Sequence, residues 1–311
     1  MTQTETPESR TVPLRTVRTR RIAFEYPSTD LPRHYMNGDL VMSHVVSVLS
    51  ALFPNGEDFF VQSVRNYRDQ IDDPELKKQV GGFIGQEAIH GREHRAFNDR
   101  LHQLGYPTRR IDRGVGILFK GLGGKVLSKR VQLAVTAALE HYTATLAEVL
   151  LRSPEAREMV SVDEVRSLLL WHALEESEHK AVAFDVYQRV VGSHAVRVRT
   201  MNVVTVAFIT GVVFDTFLSL LGDASTRDLK RLRKSLGALR YSPFTHVDVW
   251  RHLRGYNRRD FHPDDRDTSQ LVEEWRTELF GADGRLADKL KGRGSGTEEE
   301  SASSLPESSV R

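Results

Sequence analysis

The chain contains no cysteine. That excludes disulfides, thiolate zinc sites, iron–sulfur clusters and cysteine nucleophiles, so any metal must be held by oxygen and imidazole nitrogen. An excess of one charge is also missing: 44 Lys and Arg stand against 42 Asp and Glu, for a formal net charge of +2. No whole-chain field therefore points to nucleic acid, and the expected partner is a small-molecule substrate. The start, MTQTETPESRTVPLRTVRTRR, lacks the apolar run of a secretory leader, so a cytoplasmic location is expected. Period-two alternation is absent too, which leaves an all-α fold.

What is present is helical periodicity. Residues 1–32 are polar, basic and proline-containing, and are expected to form a flexible arm. Apolar residues then recur at helical spacing from Asp39 to Phe53, where Pro54-Asn55-Gly56 is expected to break or kink the helix before a second run from Glu57. Asp73-Pro74 caps a long helix reaching about Leu104. A glycine-rich stretch, 108–124, reads as the crossover of a helix bundle, followed by helices over about 125–152 and 162–191. The expected organisation is a bundle over 33–195, an apolar fifth helix with short C-terminal helices over 196–285, and a disordered Ser/Glu/Gly-rich tail over 286–311. Residues 201–221 are apolar enough to pack on the bundle, lie on a membrane or cross one, although Asp215 inside the run makes a crossing costly.

Two of the helices carry the same motif, Glu-x-x-His: Glu87 with His90, and Glu176 with His179. Residues three apart share a helix face, so each motif offers a carboxylate and an imidazole to one point. Both interrupt apolar stripes, Phe83, Ile84 and Phe97 on one helix, Leu168, Ala183 and Val186 on the other. Glu57 and Glu140 sit on the apolar stripes of the remaining two helices. Converging buried carboxylates repel one another unless cations compensate them. Glu57, Glu87, His90, Glu140, Glu176 and His179 are thus the expected ligands of two divalent metal ions, in the pattern of ferritin-like di-iron and di-manganese four-helix bundles. Hard oxygen and imidazole donors suit iron, with manganese or zinc as alternatives.

His94 and His172 lie one turn from the motifs on the same stripes, as an extra ligand, a hydrogen-bond partner of one, or a catalytic base. His141, beside Glu140, and Asp185 are candidates for hydrogen bonds to ligand imidazoles, whereas Glu93, Glu175 and Glu178 rotate off the stripe toward solvated or salt-bridged roles. Three chemistries remain open: hydrolysis of an ester or amide, O₂-dependent oxidation of a small organic or lipid-like substrate, and ferroxidase activity or metal binding alone.

The stretches FPNGEDFF (53–60), FIGQEAIHGREH (83–94), ALEHYT (138–143) and WHALEESEHKAVAFDVY (171–187) resemble those of the predicted metal-dependent hydrolases, a family grouped with ferritin-like proteins. The resemblance spans roughly 33–260 and implies a metal-dependent enzyme.

Overall fold

Asp39 opens the first helix by accepting a hydrogen bond from the Met42 amide at 2.8 Å, and α1 then runs Leu40–Arg65 without interruption. The expected break at Pro54 does not occur. Proline removes the amide that would bond the carbonyl of Ser50; Asn98, from the neighbouring helix, donates its side-chain amide to that carbonyl at 2.9 Å instead. Asp73 caps α2, Pro74–Gln103, through the amides of Glu75 and Leu76. The structure is a computed structural model and describes residues 15–26, 31–121, 126–242, 244 and 247–291.

The stretch read as an irregular crossover is largely a helix, α3, Thr108–Gly121. Gly116 explains how it fits: a Cβ there would stand 2.9 Å from the Asn55 side chain, so the missing side chain lets α3 lie against α1. Next come α4, Lys129–Arg152, a short α5, Pro154–Glu158, and α6, Asp163–His179. The helix expected over 162–191 is interrupted at Lys180–Ala181, and α7 covers Val182–Val190. No proline or glycine accounts for the break; Lys180 Nζ is held there by the Arg266 carbonyl and the Thr268 hydroxyl. The chain continues through α8, His194–Leu221, α9, Leu229–Ala238, α10, Val247–Gly255, and α11, Ser269–Phe280.

The fold is all-α. α1 packs on α2, α2 on α6, α6 on α4 and α4 on α1, which closes a ring of four helices around one interior. α3 and α8 lie outside this ring against α1, and α8 also runs along α4.

The N-terminal arm departs from expectation over residues 15–26. Ile22 is fully buried, Phe24 nearly so, and the segment is strapped across α2 and α6. Gly82 and Gly85 make room for it, because a Cβ at either would fall 2.1 Å from the Val17 carbonyl or the Thr19 hydroxyl. The expected tail is likewise ordered at its start: Leu286 is buried, and the Lys291 amide bonds the Arg21 carbonyl at 2.7 Å. The rest of both expectations, residues 1–14 and 292–311, lies outside the described residues.

Candidate metal centre

The ring of helices encloses Glu57 from α1, Glu87 and His90 from α2, Glu140 from α4, and His172, Glu176 and His179 from α6, all buried. Their ligating atoms form two groups, each spanning no more than 4.8 Å: Glu57, His90 and His172 in one, Glu87, Glu176 and His179 in the other. Glu140 adjoins the second, 3.3 Å from His179 Nε2. Glu176 lies between them, with Oε1 2.9 Å from His172 Nε2 and Oε2 3.5 Å from His179 Nε2. Glu87 Oε1 is also shared, 3.0 Å from His179 Nε2 and 3.9 Å from His90 Nδ1.

Every expected ligand therefore reaches one place, and His172 joins them. His94 stands behind His172 and leaves no nitrogen free for proton transfer: Nε2 bonds His172 Nδ1 at 2.6 Å, and Nδ1 bonds the Ser50 hydroxyl at 2.9 Å. His141 and Asp185 lie elsewhere. His141 donates to the His252 carbonyl and packs on Tyr256 and Phe261, while Asp185 binds Arg15 and His262, away from the ligand imidazoles.

Hydrogen bonds fix which nitrogen of each imidazole faces the centre. Ser50 donates to Asn98 Oδ1 at 2.7 Å, so it accepts from His94 Nδ1; His94 Nε2 then accepts from His172 Nδ1, and the His172 Nε2 lone pair faces Glu176. His179 Nδ1 donates to Gln86 Oε1 at 3.0 Å, and His90 Nε2 donates to Glu175 Oε2 at 3.0 Å. His172 Nε2 and His90 Nδ1 thus present lone pairs inward, and His179 Nε2 does so once it gives up the proton that Glu176 and Glu140 favour, the arrangement that outer hydrogen bonds impose on metal-binding histidines.

Arg20, on the strap, heads two of these chains. It bonds Glu175, which holds His90, and it bonds both oxygens of Glu178, which accepts from Gln86, which holds His179. Arg276 supplies Glu178 with a second cation at 3.0 Å. The expected salt-bridged roles of Glu175 and Glu178 are met, but in the interior, since both are at least 96% buried. Glu93 is buried as well, accepting from the Phe24 amide.

The electrostatics divide accordingly. The outer pair of carboxylates is matched by two guanidiniums, whereas the four inner carboxylates face imidazoles, with Arg95 acting on Glu57 alone and without an ion pair. Burial, then repulsion from Glu87 and Glu176, pushes Glu57 well above the usual carboxylate range. Burial and Glu140 push Glu87 up to about 8, and burial and Glu176 push Glu140 up to about 7. Burial also acts on Glu176, but His179 and His172 hold it well below the normal range. Burial disfavours charged His179, which Glu176 and Glu140 nonetheless keep protonated well above its ordinary value.

A metal pair suits this donor set. Both oxygens of Glu57, Glu87 and Glu140, Glu176 Oε2, His90 Nδ1 and His179 Nε2 are buried without a hydrogen-bond partner. Such a concentration is costly unless something else binds those atoms, and two divalent cations would neutralise the four carboxylates.

A family model described as predicted metal-dependent hydrolase matches residues 18–267, from the strap through α10. The chain belongs to this family. In the predicted metal-dependent hydrolases the match takes in all seven inward side chains and Arg20. No curated protein and no solved structure matches the chain.

Beside the centre lies a cavity of about 740 Å³. Glu57, His94, His172 and Glu176 line it at the centre; most of its wall is apolar side chains of α1, α3, α4 and α8, including Phe53, Leu118, Leu139, Leu146 and Val204, with Arg110, Arg199 and Asp215 among the polar residues that also line it.

Proposed function

We propose that the chain is a two-metal enzyme that hydrolyses an ester or amide bond in a long apolar substrate. The observation that carries this is the cavity: the candidate metal centre lies at one end, and most of the remaining wall is apolar and matches an acyl chain or similar hydrocarbon. The ligands would be Glu57, His90 and His172 for one ion, and Glu140 and His179 for the other, with Glu87 and Glu176 shared. This is the pattern of ferritin-like dimetal bundles with one histidine added. Two divalent ions bound there supply Lewis acidity and lower the pKa of water. The chain's residues supply the rest. Arg20, through its two hydrogen-bond chains, holds His90 and His179 in orientation, His94 does so for His172, and the apolar walls keep bulk water from the centre.

A second reading, O₂-dependent oxidation by an iron pair, is favoured by the donor set. Four carboxylates and three imidazoles are hard ligands suited to iron. One experiment separates the two: purified protein, analysed for metal, is assayed with acyl esters of increasing chain length, in air and under strict anaerobiosis. Hydrolysis that rises with chain length, vanishes on chelation and persists without oxygen supports the first reading. Oxygen consumption without anaerobic hydrolysis supports the second, and neither activity in metal-loaded protein leaves metal binding alone.

A further inference from the structure

α8 is the most apolar helix of the chain, yet only 17% of its most apolar window is buried. Its outward side carries Val203, Val206, Val213, Phe214, Phe217 and Leu221, each 55–69% exposed. The spacing places them on one face over 18 residues, about 27 Å at 1.5 Å per residue. Single exposed apolar residues are ordinary, but a continuous stripe of this length marks an interaction surface. Exposed Ile117 and Leu118 of α3 and Leu229 and Leu236 of α9 add to it.

The helix is held flat on the bundle at both ends. Near its start, buried Arg197 donates to the carbonyls of Tyr256 and Arg258. Just past its end, Asp223 accepts from His34, His44 and Arg33, each at 3.0 Å. Between them, Asp215 pairs with Arg110 of α3 at 3.0 Å. A helix tied down in this way, forming a wall of the cavity, lies along a surface and does not cross a bilayer.

Charge identifies that surface. Residues 227–240 contain six Lys and Arg against one Asp, a local excess of +5 in a chain whose total is +2. Arg227, Lys230, Arg233 and Lys234 are exposed there, beside the exposed leucines of α9. Apolar side chains beside cations are complementary to acyl chains beneath anionic headgroups. A second copy of this chain would bring the same cations together, which is unfavourable.

We propose that α8, with the adjoining parts of α3 and α9, seats the protein on the surface of an anionic phospholipid bilayer without spanning it, and that the cavity opens toward the acyl layer. Leu118 and Val203 carry the second half of this: both line the cavity and both are exposed, so its mouth lies within the apolar patch.

The test is flotation of the full-length protein with vesicles of phosphatidylcholine alone or mixed with phosphatidylglycerol, at low and raised salt. The expected result is flotation with the anionic vesicles, weakened several-fold by salt. Phe214→Glu with Phe217→Glu should cut the bound fraction about tenfold or more, and Lys230→Glu with Arg233→Glu should abolish the preference for phosphatidylglycerol. Val206→Glu replaces the first pair if its melting curve shows misfolding. Wild-type protein that stays unbound with anionic vesicles overturns the proposal. So does a concentration-dependent dimer that Phe214→Glu/Phe217→Glu dissolves, since the stripe would then be covered by a second copy. Vesicle binding reads this surface alone, whatever reaction the metal centre performs.

Discussion

The candidate metal centre has two unlike walls. On one side, α2 and α6 meet the N-terminal strap through a closed network in which Arg20 and Arg276 match Glu175 and Glu178, and each outer polar atom has a partner with a fixed direction. On the other, α3, α4 and α8 offer a cavity lined mostly by apolar side chains. The difference separates two tasks. Orienting charged ligands needs directional hydrogen bonds in a low dielectric, while accepting a hydrocarbon needs only shape and the absence of water.

The comparison breaks most completely when the shared ligands are removed. If the proposed two-ion site holds, Glu87→Ala or Glu176→Ala should lower bound metal from about two ions per chain to below one and abolish activity, because each carboxylate lies near histidines of both groups. Elemental analysis checks this, and full occupancy in both variants would sink the two-ion assignment. The metal-free protein carries a pH signature of the same centre. Glu57, Glu87, Glu140 and His179 all hold protons more tightly than when unfolded, so the stability they provide is present at low pH and is lost as pH rises toward the folded values. Above about pH 7.5 the effect is isolated, since the buried histidines with lowered values, His90 and His94 among them, are then neutral in the unfolded chain as well. The chelated protein should melt at a lower temperature at about pH 8.5 than at about 7.5. Metal should narrow or reverse that order, because its ligands bind deprotonated.

Arg20→Met tests the polar wall. It leaves Glu175 and Glu178 buried with less compensation, at a cost of about 3–5 kcal/mol in stability, and should weaken metal binding about 10–100-fold. Arg20→Lys keeps the charge but not the fork, and should recover stability more than metal affinity. Equal loss of both in the two variants would reduce Arg20 to a structural pin. Asn98→Ala exposes the repair at Pro54: the Ser50 carbonyl and hydroxyl lose their partner, for about 1–3 kcal/mol by denaturant titration. The apolar wall should respond differently. Leu146→Trp, which narrows the cavity, is expected to raise KM for long acyl substrates with metal content unchanged, and a change in metal content would show that the walls are not separable. The smallest effect belongs to Arg110→Ala, which removes a half-exposed ion pair worth no more than about 1 kcal/mol.

Much of the centre was legible in the residues. Six candidate ligands occupy inward positions on helices whose apolar spacing is unambiguous, and a carboxylate on such a stripe calls for a cation or hydrogen-bond donor. His172 was visible as a candidate, one turn before Glu176, but so was His94, and helical periodicity treats the two alike. Their roles separate only through Ser50, oriented by Asn98, which takes Nδ1 of His94; His172 Nδ1 then takes Nε2 of His94, and Nε2 of His172 is left free. Arg20 gave no signal, being one basic residue among several in a polar segment. Pro54 and the glycines of α3 misled for a related reason: local propensity assumes that water or the same helix must satisfy the backbone, whereas Asn98 repairs α1 at a carbonyl 48 residues away and Gly116 serves close packing.

The sequence by itself determined the all-α class and pointed to the carboxylates and imidazoles that four helices turn inward, because periodicity and the cost of buried charge act within each segment. Only the tertiary structure decided which histidine joins the centre, that the N-terminal segment braces it, and that α8 turns its apolar face outward. Those outcomes depend on which distant surfaces meet, and hydropathy measures how apolar a helix is without specifying what will cover it.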